Sequence, residues 1–132
     1  MLIDSHAHLE DPRFDEDRDS VIERSWKAGV HTILTIGNGK GPDDMGCGIP
    51  LAQAIDWVFT TVGVHPHDAN LMETAHLKLM EDLARNPYVV AIGEAGLDYH
   101  YDNSPREIQR EVFRSQLQLA KRLRLPVIVH TR

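Results

Sequence analysis

The chain has 132 residues, 42% of them hydrophobic, and a formal net charge of −6, values typical of a single globular domain. The acidic balance argues against a protein that holds nucleic acid through bulk positive charge, but it is compatible with an enzyme that meets phosphate groups through bound metal ions. A single cysteine, Cys47, excludes an internal disulfide and favours a cytoplasmic location, and we interpret it as an incidental loop thiol. Every apolar run is far shorter than the roughly 20 residues that span a bilayer, so we expect neither a membrane segment nor a signal peptide.

Strand-like and helix-like segments alternate along the chain. In chain order we predict a strand at 2–4, a helix at 19–28, a strand at 32–36, a helix at 50–56, a strand at 59–64, a helix at 74–85, a strand at 89–93, a helix at 105–123 and a strand at 126–130. Ser104 is the expected N-cap of the last helix, with Pro105 at its first position. The glycine-rich segment 37–48 lacks the Gly-Lys-Ser/Thr ending of a phosphate-binding loop, so we interpret it as a plain connection.

This alternation of apolar strands and amphipathic helices predicts a parallel sheet that is covered on both faces. Polar groups follow several of the strands, which is the arrangement at the catalytic face of a (β/α) barrel. A complete barrel has eight strands and about 250 residues, whereas this sequence predicts five strands. We therefore expect an α/β fold, a partial TIM-type (β/α) barrel that occupies residues 1–132 and is truncated before strands 6–8.

Two histidines, His6 and His8, follow the first predicted strand. Residues i and i+2 of a strand point to the same side, so both imidazoles leave the strand end together. This spacing predicts a metal site. Asp4 shares that side of the strand and is a candidate to orient one of the imidazoles.

Glu94 and His130 end two later strands. A carboxylate that lies between glycines at the end of a buried strand needs a partner, and a metal ion is a natural one. Because a carboxylate has two oxygens, Glu94 is suited to bridge two metals. His130 comes directly after an apolar run and completes the predicted ligand set. Two other histidines, His31 and His76, have no such context, and we interpret them as structural.

A second pair of histidines, His65 and His67, flanks a proline after the third strand. We interpret both as residues that face the substrate, with organisation of the turn as the alternative. Asp98, Tyr99 and His100 follow Glu94 in a loop over the same face. For these three, packing and substrate contact are equally compatible with the sequence.

Four motifs, in this order, resemble the TatD family of metal-dependent hydrolases: Ile3-Asp4-Ser5-His6-Ala7-His8-Leu9, Gly63-Val64-His65-Pro66-His67, Gly93-Glu94-Ala95-Gly96-Leu97-Asp98-Tyr99 and Pro126-Val127-Ile128-Val129-His130. The last predicted helix adds residues in the spacing typical of the family: Gln109, Phe113, Gln116 and Ala120. The resemblance extends over essentially the whole sequence and is poorest around 37–57.

The resemblance implies a two-metal centre that hydrolyses phosphodiester bonds in DNA. The first metal falls to His6, His8 and Glu94, and the second to Glu94 and His130, so Glu94 is the expected catalytic residue. Histidine and carboxylate ligands suit two divalent ions, Zn, Mn or Mg. The family also uses a further histidine and an aspartate from later strands, at positions outside this sequence. That aspartate is the residue expected to activate the attacking water.

Two alternatives remain open from the residues alone. An amidohydrolase that cleaves C–N bonds has a similar histidine pair on its first strand, but it commonly carries a lysine on strand 4, where this chain has Glu94. A truncated, non-catalytic chain that binds metal weakly or needs a partner chain is the other alternative. The unpaired edges of an incomplete barrel also predict self-association, in addition to the expected partner, DNA or another phosphoester.

Overall fold

The computed structural model describes residues 1–132 and contains one sheet of five parallel strands. The strands are β1 (Leu2–Ala7), β2 (Val30–Thr35), β3 (Val58–Val62), β4 (Val89–Leu97) and β5 (Val127–Thr131). The helices are α1 (Arg18–Lys27), α2 (Ile49–Ala54), α3 (Thr74–Leu83) and α4 (Arg106–Leu123). Short 3₁₀ turns lie at Pro12–Phe14, Pro42–Asp44 and Pro66–Leu71.

Each strand pairs in parallel only with its neighbours in sequence, in the order β1-β2-β3-β4-β5. Every βα unit therefore adds its strand to the same growing edge, as in a barrel, and the order never reverses as it does in a doubly wound sheet. The predicted partial (β/α) barrel is confirmed. The carboxyl ends of all five strands meet at one face, where the functional groups were expected.

Two apolar clusters fix the helices on the sheet. One joins α1 and α2 to β2 and β3 and consists of Leu9, Ile22, Ile33, Ala52 and Val58. The other joins α3 and α4 to β3 and β4 and consists of Met45, Val62, Val64, Met80, Val89, Ile92, Leu119 and Ala120. Removal of this apolar surface from water is the main stabilising contribution to the sheet–helix arrangement.

The outer strands leave apolar side chains in solvent. Leu2 and Ile3 on β1 are 60% and 64% exposed, and Val129 on β5 is 53% exposed. These strands are also the two edges of the sheet, so their outer backbone groups have no strand partner. No helix is both long enough and apolar enough to cross a membrane.

Some element boundaries differ from the sequence expectation. β1 continues to Ala7 and β4 to Leu97, so His6 and Glu94 lie within these strands, while His8 directly follows β1. The expectation that Ser104 caps α4 is wrong, because α4 begins at Arg106 with Pro105 before it. The buried Ser104 hydroxyl instead donates to the carbonyl oxygen of His67, 2.8 Å away.

Candidate metal centre

The side chain of Glu94 lies between two groups of histidines at the carboxyl end of the sheet. Its Oε2 is 3.5 Å from Nε2 of His6, and its Oε1 is 2.8 Å from Nδ1 of His130. The possible ligand atoms of His6, His8 and Glu94 lie within 4.8 Å of one another, and the same holds for His65, Glu94 and His130. The structure thus brings together the four residues that the sequence predicted as metal ligands, from β1, β4 and β5.

The backbone of Glu94 is held by the side chain of Asn38, which comes from the glycine-rich segment. The Glu94 N–H donates to Asn38 Oδ1 at 3.0 Å, and Asn38 Nδ2 donates to the Glu94 carbonyl oxygen at 2.9 Å. Both residues are buried. The interpretation of 37–48 as a plain connection is therefore wrong for Asn38. Its side-chain amide pairs with the backbone of Glu94 as the peptide group of a neighbouring strand would.

The strand ends beside Glu94 approach each other so closely that glycine is required. A Cβ atom on Gly63 would lie 2.7 Å from the Cα of Gly93, a separation that real Cβ atoms do not reach. Thr61 supports the same point, because its hydroxyl donates to the Gly93 carbonyl oxygen at 2.5 Å. The absence of a side chain at Gly63 allows β3 and β4 to converge next to Glu94. The absence of one at Gly93, where a Cβ would lie 2.5 Å from the carbonyl oxygen of Ile128, allows the same approach between β4 and β5.

Two acidic residues contact the first histidine pair, one at the backbone of His6 and the other at the imidazole of His8. Asp4 Oδ1 accepts the backbone N–H of His6 at 3.1 Å, so Asp4 holds the backbone and not an imidazole as expected. The imidazole contact comes from Glu10, whose Oε1 lies 3.2 Å from Nδ1 of His8. This hydrogen bond raises the pKa of His8. It also leaves Nε2 of His8 as the nitrogen available to a metal.

His65 presents a hydrogen-bond donor to the centre. The backbone N–H of His67 donates to His65 Nδ1 at 3.1 Å, so neutral His65 carries its ring proton on Nε2. That Nε2 lies 3.2 Å from Nδ1 of His130. Burial, with a smaller contribution from the neighbouring His130, lowers the pKa of His65 to about 4. At neutral pH, His65 is therefore an uncharged donor.

Asp98 is buried directly behind the histidines. Its Oδ2 lies 2.8 Å from Nε2 of His67 and 3.0 Å from Nε2 of His130, while its Oδ1 accepts the backbone N–H groups of His100 and Tyr101. Burial raises the pKa of Asp98, but these hydrogen bonds outweigh it and hold the pKa well below its usual range. Of the two alternatives for Asp98, the structure shows the packed one. Asp98 directly follows β4, four residues after Glu94. An even spacing in extended chain places two side chains on the same side, and this was the signal that sequence reasoning missed.

The centre opens into a polar cleft of about 1520 Å³. Acidic residues dominate its rim, and Lys40 is the one lysine or arginine among the residues that line it. His76 lies on the same rim, where it pairs with Asp43 and accepts the backbone N–H of Glu73 at the start of α3, a structural role. Cys47 also lines the cleft, and burial raises the pKa of its thiol to about 12.

Comparison with known proteins gives one consistent family. The family model described as TatD related DNase matches residues 3–132. An uncharacterized metal-dependent hydrolase of Bacillus subtilis, YabD, is 41% identical over 132 residues, which are 100% of this chain and 51% of YabD. The protein named 3'-5' ssDNA/RNA exonuclease TatD in Cronobacter turicensis is 38% identical over 131 residues, which are 99% of this chain and 49% of that protein.

Comparison with solved structures gives the same family. The crystal structure of YJJV, a TatD homologue from Escherichia coli, superposes with a TM-score of 0.88 at 31% identity over 99% of this chain and 51% of that one. A TatD family hydrolase from Entamoeba histolytica gives a TM-score of 0.86 at 28% identity over 99% of this chain and 50% of that one. This chain spans about half the length of these relatives. With its five-stranded half-barrel and its ordered motifs, it belongs to the TatD family.

Proposed function

We propose that the protein is the N-terminal part of a metal-dependent hydrolase of the TatD type, which cleaves phosphodiester bonds in nucleic acid. The observation that carries the proposal is the placement of the Glu94 carboxylate, with one oxygen toward His6 and the other toward His130. A carboxylate in this position is suited to be shared by two divalent ions. The family match favours a phosphodiesterase over an enzyme that cleaves C–N bonds.

The donor set fits such ions. Imidazole nitrogens and carboxylate oxygens lie within 4.8 Å of one another in each group. Imidazole suits Zn and carboxylate suits Mn or Mg, so the mixed set is compatible with Zn, Mn or Mg. His6, His8 and Glu94 would hold one ion, and Glu94 and His130 the other. A pair of divalent ions supplies charge neutralisation at a phosphate and lowers the pKa of water.

The other residues of the centre position the substrate. We propose that His65 donates its Nε2–H to a phosphate oxygen, because its backbone-bonded Nδ1 fixes that tautomer. His67 lines the same cleft and is oriented by Asp98. Relatives are named 3'-5' ssDNA/RNA exonucleases, so we take single-stranded nucleic acid as the substrate. Lys40 is the cleft residue suited to meet a backbone phosphate.

The residues present supply three ligands to one ion and two to the other. The family resemblance implies a further aspartate and histidine from strands that follow β5, and the aspartate is the expected activator of water. We therefore propose that the 132-residue polypeptide by itself has little nuclease activity. We further propose that it self-associates through its two edge strands, β1 and β5, whose exposed apolar side chains another chain would cover.

Metal titration tests the proposed centre. Zinc or manganese is titrated into the protein by calorimetry, and the Glu94→Gln variant is compared with Glu107→Gln, which removes an exposed carboxylate on α4. We expect Glu94→Gln to bind both ions less tightly, since the Glu94 side chain belongs to both ligand groups. Glu107→Gln should bind them as the parent does. An unchanged titration of Glu94→Gln would refute the shared carboxylate. A parent protein that binds no divalent metal would refute the proposed function.

A further inference from the structure

The buried carboxylate of Asp98 accepts hydrogen bonds on both of its oxygens. One oxygen, Oδ2, faces two imidazole nitrogens, Nε2 of His67 at 2.8 Å and Nε2 of His130 at 3.0 Å. The other oxygen is taken by the backbone N–H groups of His100 and Tyr101 at 3.1 and 2.9 Å. An ionised carboxylate has no proton to give, so both imidazoles must carry a proton on Nε2.

This requirement decides which atom of His130 faces the centre. With its proton on Nε2, a neutral imidazole has its lone pair on Nδ1. Nδ1 is the atom that lies 2.8 Å from Oε1 of Glu94. Two lone pairs then face each other at this point, and a metal ion that binds both atoms satisfies them. We propose that Asp98 is a positioning residue that assigns Nδ1 of His130 as the metal ligand. The inference rests on the proposed metal centre and extends it by one residue behind the ligands.

The same arrangement separates the roles of the neighbouring histidines. Although His65 lies within ligand distance of Glu94 and His130, its Nδ1 accepts the backbone N–H of His67, so its Nε2 bears a proton. A nitrogen that bears a proton cannot ligate a metal. His130 is thus the ligand and His65 the donor, although both imidazoles border the same space.

The backbone of Asp98 is held by the side chain of Gln109 and not by the Asp98 carboxylate. The Asp98 N–H donates to Oε1 of Gln109 at 2.8 Å, and Nε2 of Gln109 donates to the Asp98 carbonyl oxygen at 3.1 Å. Asparagine at 98 keeps an acceptor for the two backbone N–H groups. Its amide nitrogen then faces His67 and His130 with protons of its own. Two donors would oppose each other, so the favoured proton of His130 moves to Nδ1 and the lone pair turns away from the centre.

The experiment compares Asp98→Asn with Asp102→Asn, a change in the same loop that affects an exposed carboxylate paired with Arg106. Zinc affinity is measured by competition with a chelator, and ¹⁵N–¹H correlation spectra of the zinc-loaded protein report which nitrogen of each histidine bears a proton. We expect the parent to show His130 with Nε2–H and a zinc-bound Nδ1. We expect Asp98→Asn to lose this signature and to bind the zinc ion held by Glu94 and His130 about 10–100-fold less tightly, the usual effect of losing such a partner. Asp102→Asn should match the parent.

Two results would overturn the assignment of Asp98. One is a zinc-loaded parent in which His130 carries its proton on Nδ1, a measurement that holds even if Asp98→Asn fails to fold. The other is a folded Asp98→Asn protein with parental zinc affinity and spectra. In both of these results the protein still binds zinc, so the proposed function stands while the assignment of Asp98 fails. A parent that binds no zinc overturns the proposed function and, with it, the assignment.

Discussion

Replacement of Asn38 by alanine should destabilise the protein strongly, because Asn38 pairs with both backbone groups of a buried residue. The two hydrogen bonds join its side-chain amide to the N–H and the carbonyl oxygen of Glu94 at 3.0 and 2.9 Å. A buried polar group left without a partner costs about 1–3 kcal/mol. Loss of both bonds should therefore lower the free energy of unfolding by about 2–6 kcal/mol, a large share of the roughly 5–15 kcal/mol typical of a domain.

Urea denaturation followed by circular dichroism measures this loss. Asn38→Asp is an informative intermediate, since it keeps an acceptor for the Glu94 N–H and loses the donor to the carbonyl oxygen. Asn103→Ala is the matched control, because Asn103 is an exposed residue that lines the same cleft. The control should stay within about 0.5 kcal/mol of the parent, as surface substitutions usually do. If Asn38→Ala also lowers the free energy of unfolding by less than about 0.5 kcal/mol, the amide pairing does not hold Glu94.

Three further predictions concern the centre, the cysteine and the sheet edges. In a protein extended to complete the barrel, Glu94→Ala should lower kcat/KM on a DNA oligonucleotide more than His65→Ala or His67→Ala, since one carboxylate serves two ions; equal losses would contradict sharing. The pKa of Cys47 is raised from 9.0 to about 12, so at pH 8 its thiolate fraction in the folded protein should be about a thousandfold below that of an ordinary thiol. Iodoacetamide should label the folded protein far more slowly than the urea-unfolded one, and comparable rates would argue against burial. Light scattering should show association of the 132-residue polypeptide, and metal-dependent DNA cleavage should be weak. A monodisperse monomer that turns over at about 1 per second or faster would show that five strands suffice.

The fold and the convergence of the main site residues were predictable because both follow from local periodicity. Alternating apolar strands and amphipathic helices dictate a parallel sheet, and in a parallel sheet the carboxyl ends of strands lie together. His6, Glu94 and His130 each come at such an end, so their convergence needs no knowledge of the packing between distant segments. The pairing of strands in sequence order also follows from the regular repetition of short βα units.

The residues that support the site were not predictable, because their contacts join segments that are far apart in the sequence. Asn38 and Glu94 are 56 positions apart, and the side-chain amide of Gln116 pairs with the backbone of Val64 across 52 positions. Such pairs leave no local pattern, because any amide side chain on a buried face is a candidate. Gln116 was noticed only through the family resemblance. Ser104 was assigned to α4 by a local capping rule, but its hydroxyl satisfies the turn at His67 instead.

The amide side chains show why the candidate ligands project from the end of the sheet. The β4–β5 ladder is irregular between Ile92 and Ala95, and Glu94 lies inside that interruption. A regular ladder would pair the backbone of this segment with its neighbour, whereas here Asn38 supplies both a donor and an acceptor to Glu94. Every buried side-chain nitrogen and oxygen atom has a hydrogen-bond partner, so the irregularity leaves no buried polar side chain unsatisfied. The interruption frees the carboxylate of Glu94 to lie between His6 and His130, and the side-chain amide keeps it there. Rigidity at this centre therefore depends on side chains from outside the strand, which is why a change at Asn38 should disturb the site as well as the fold.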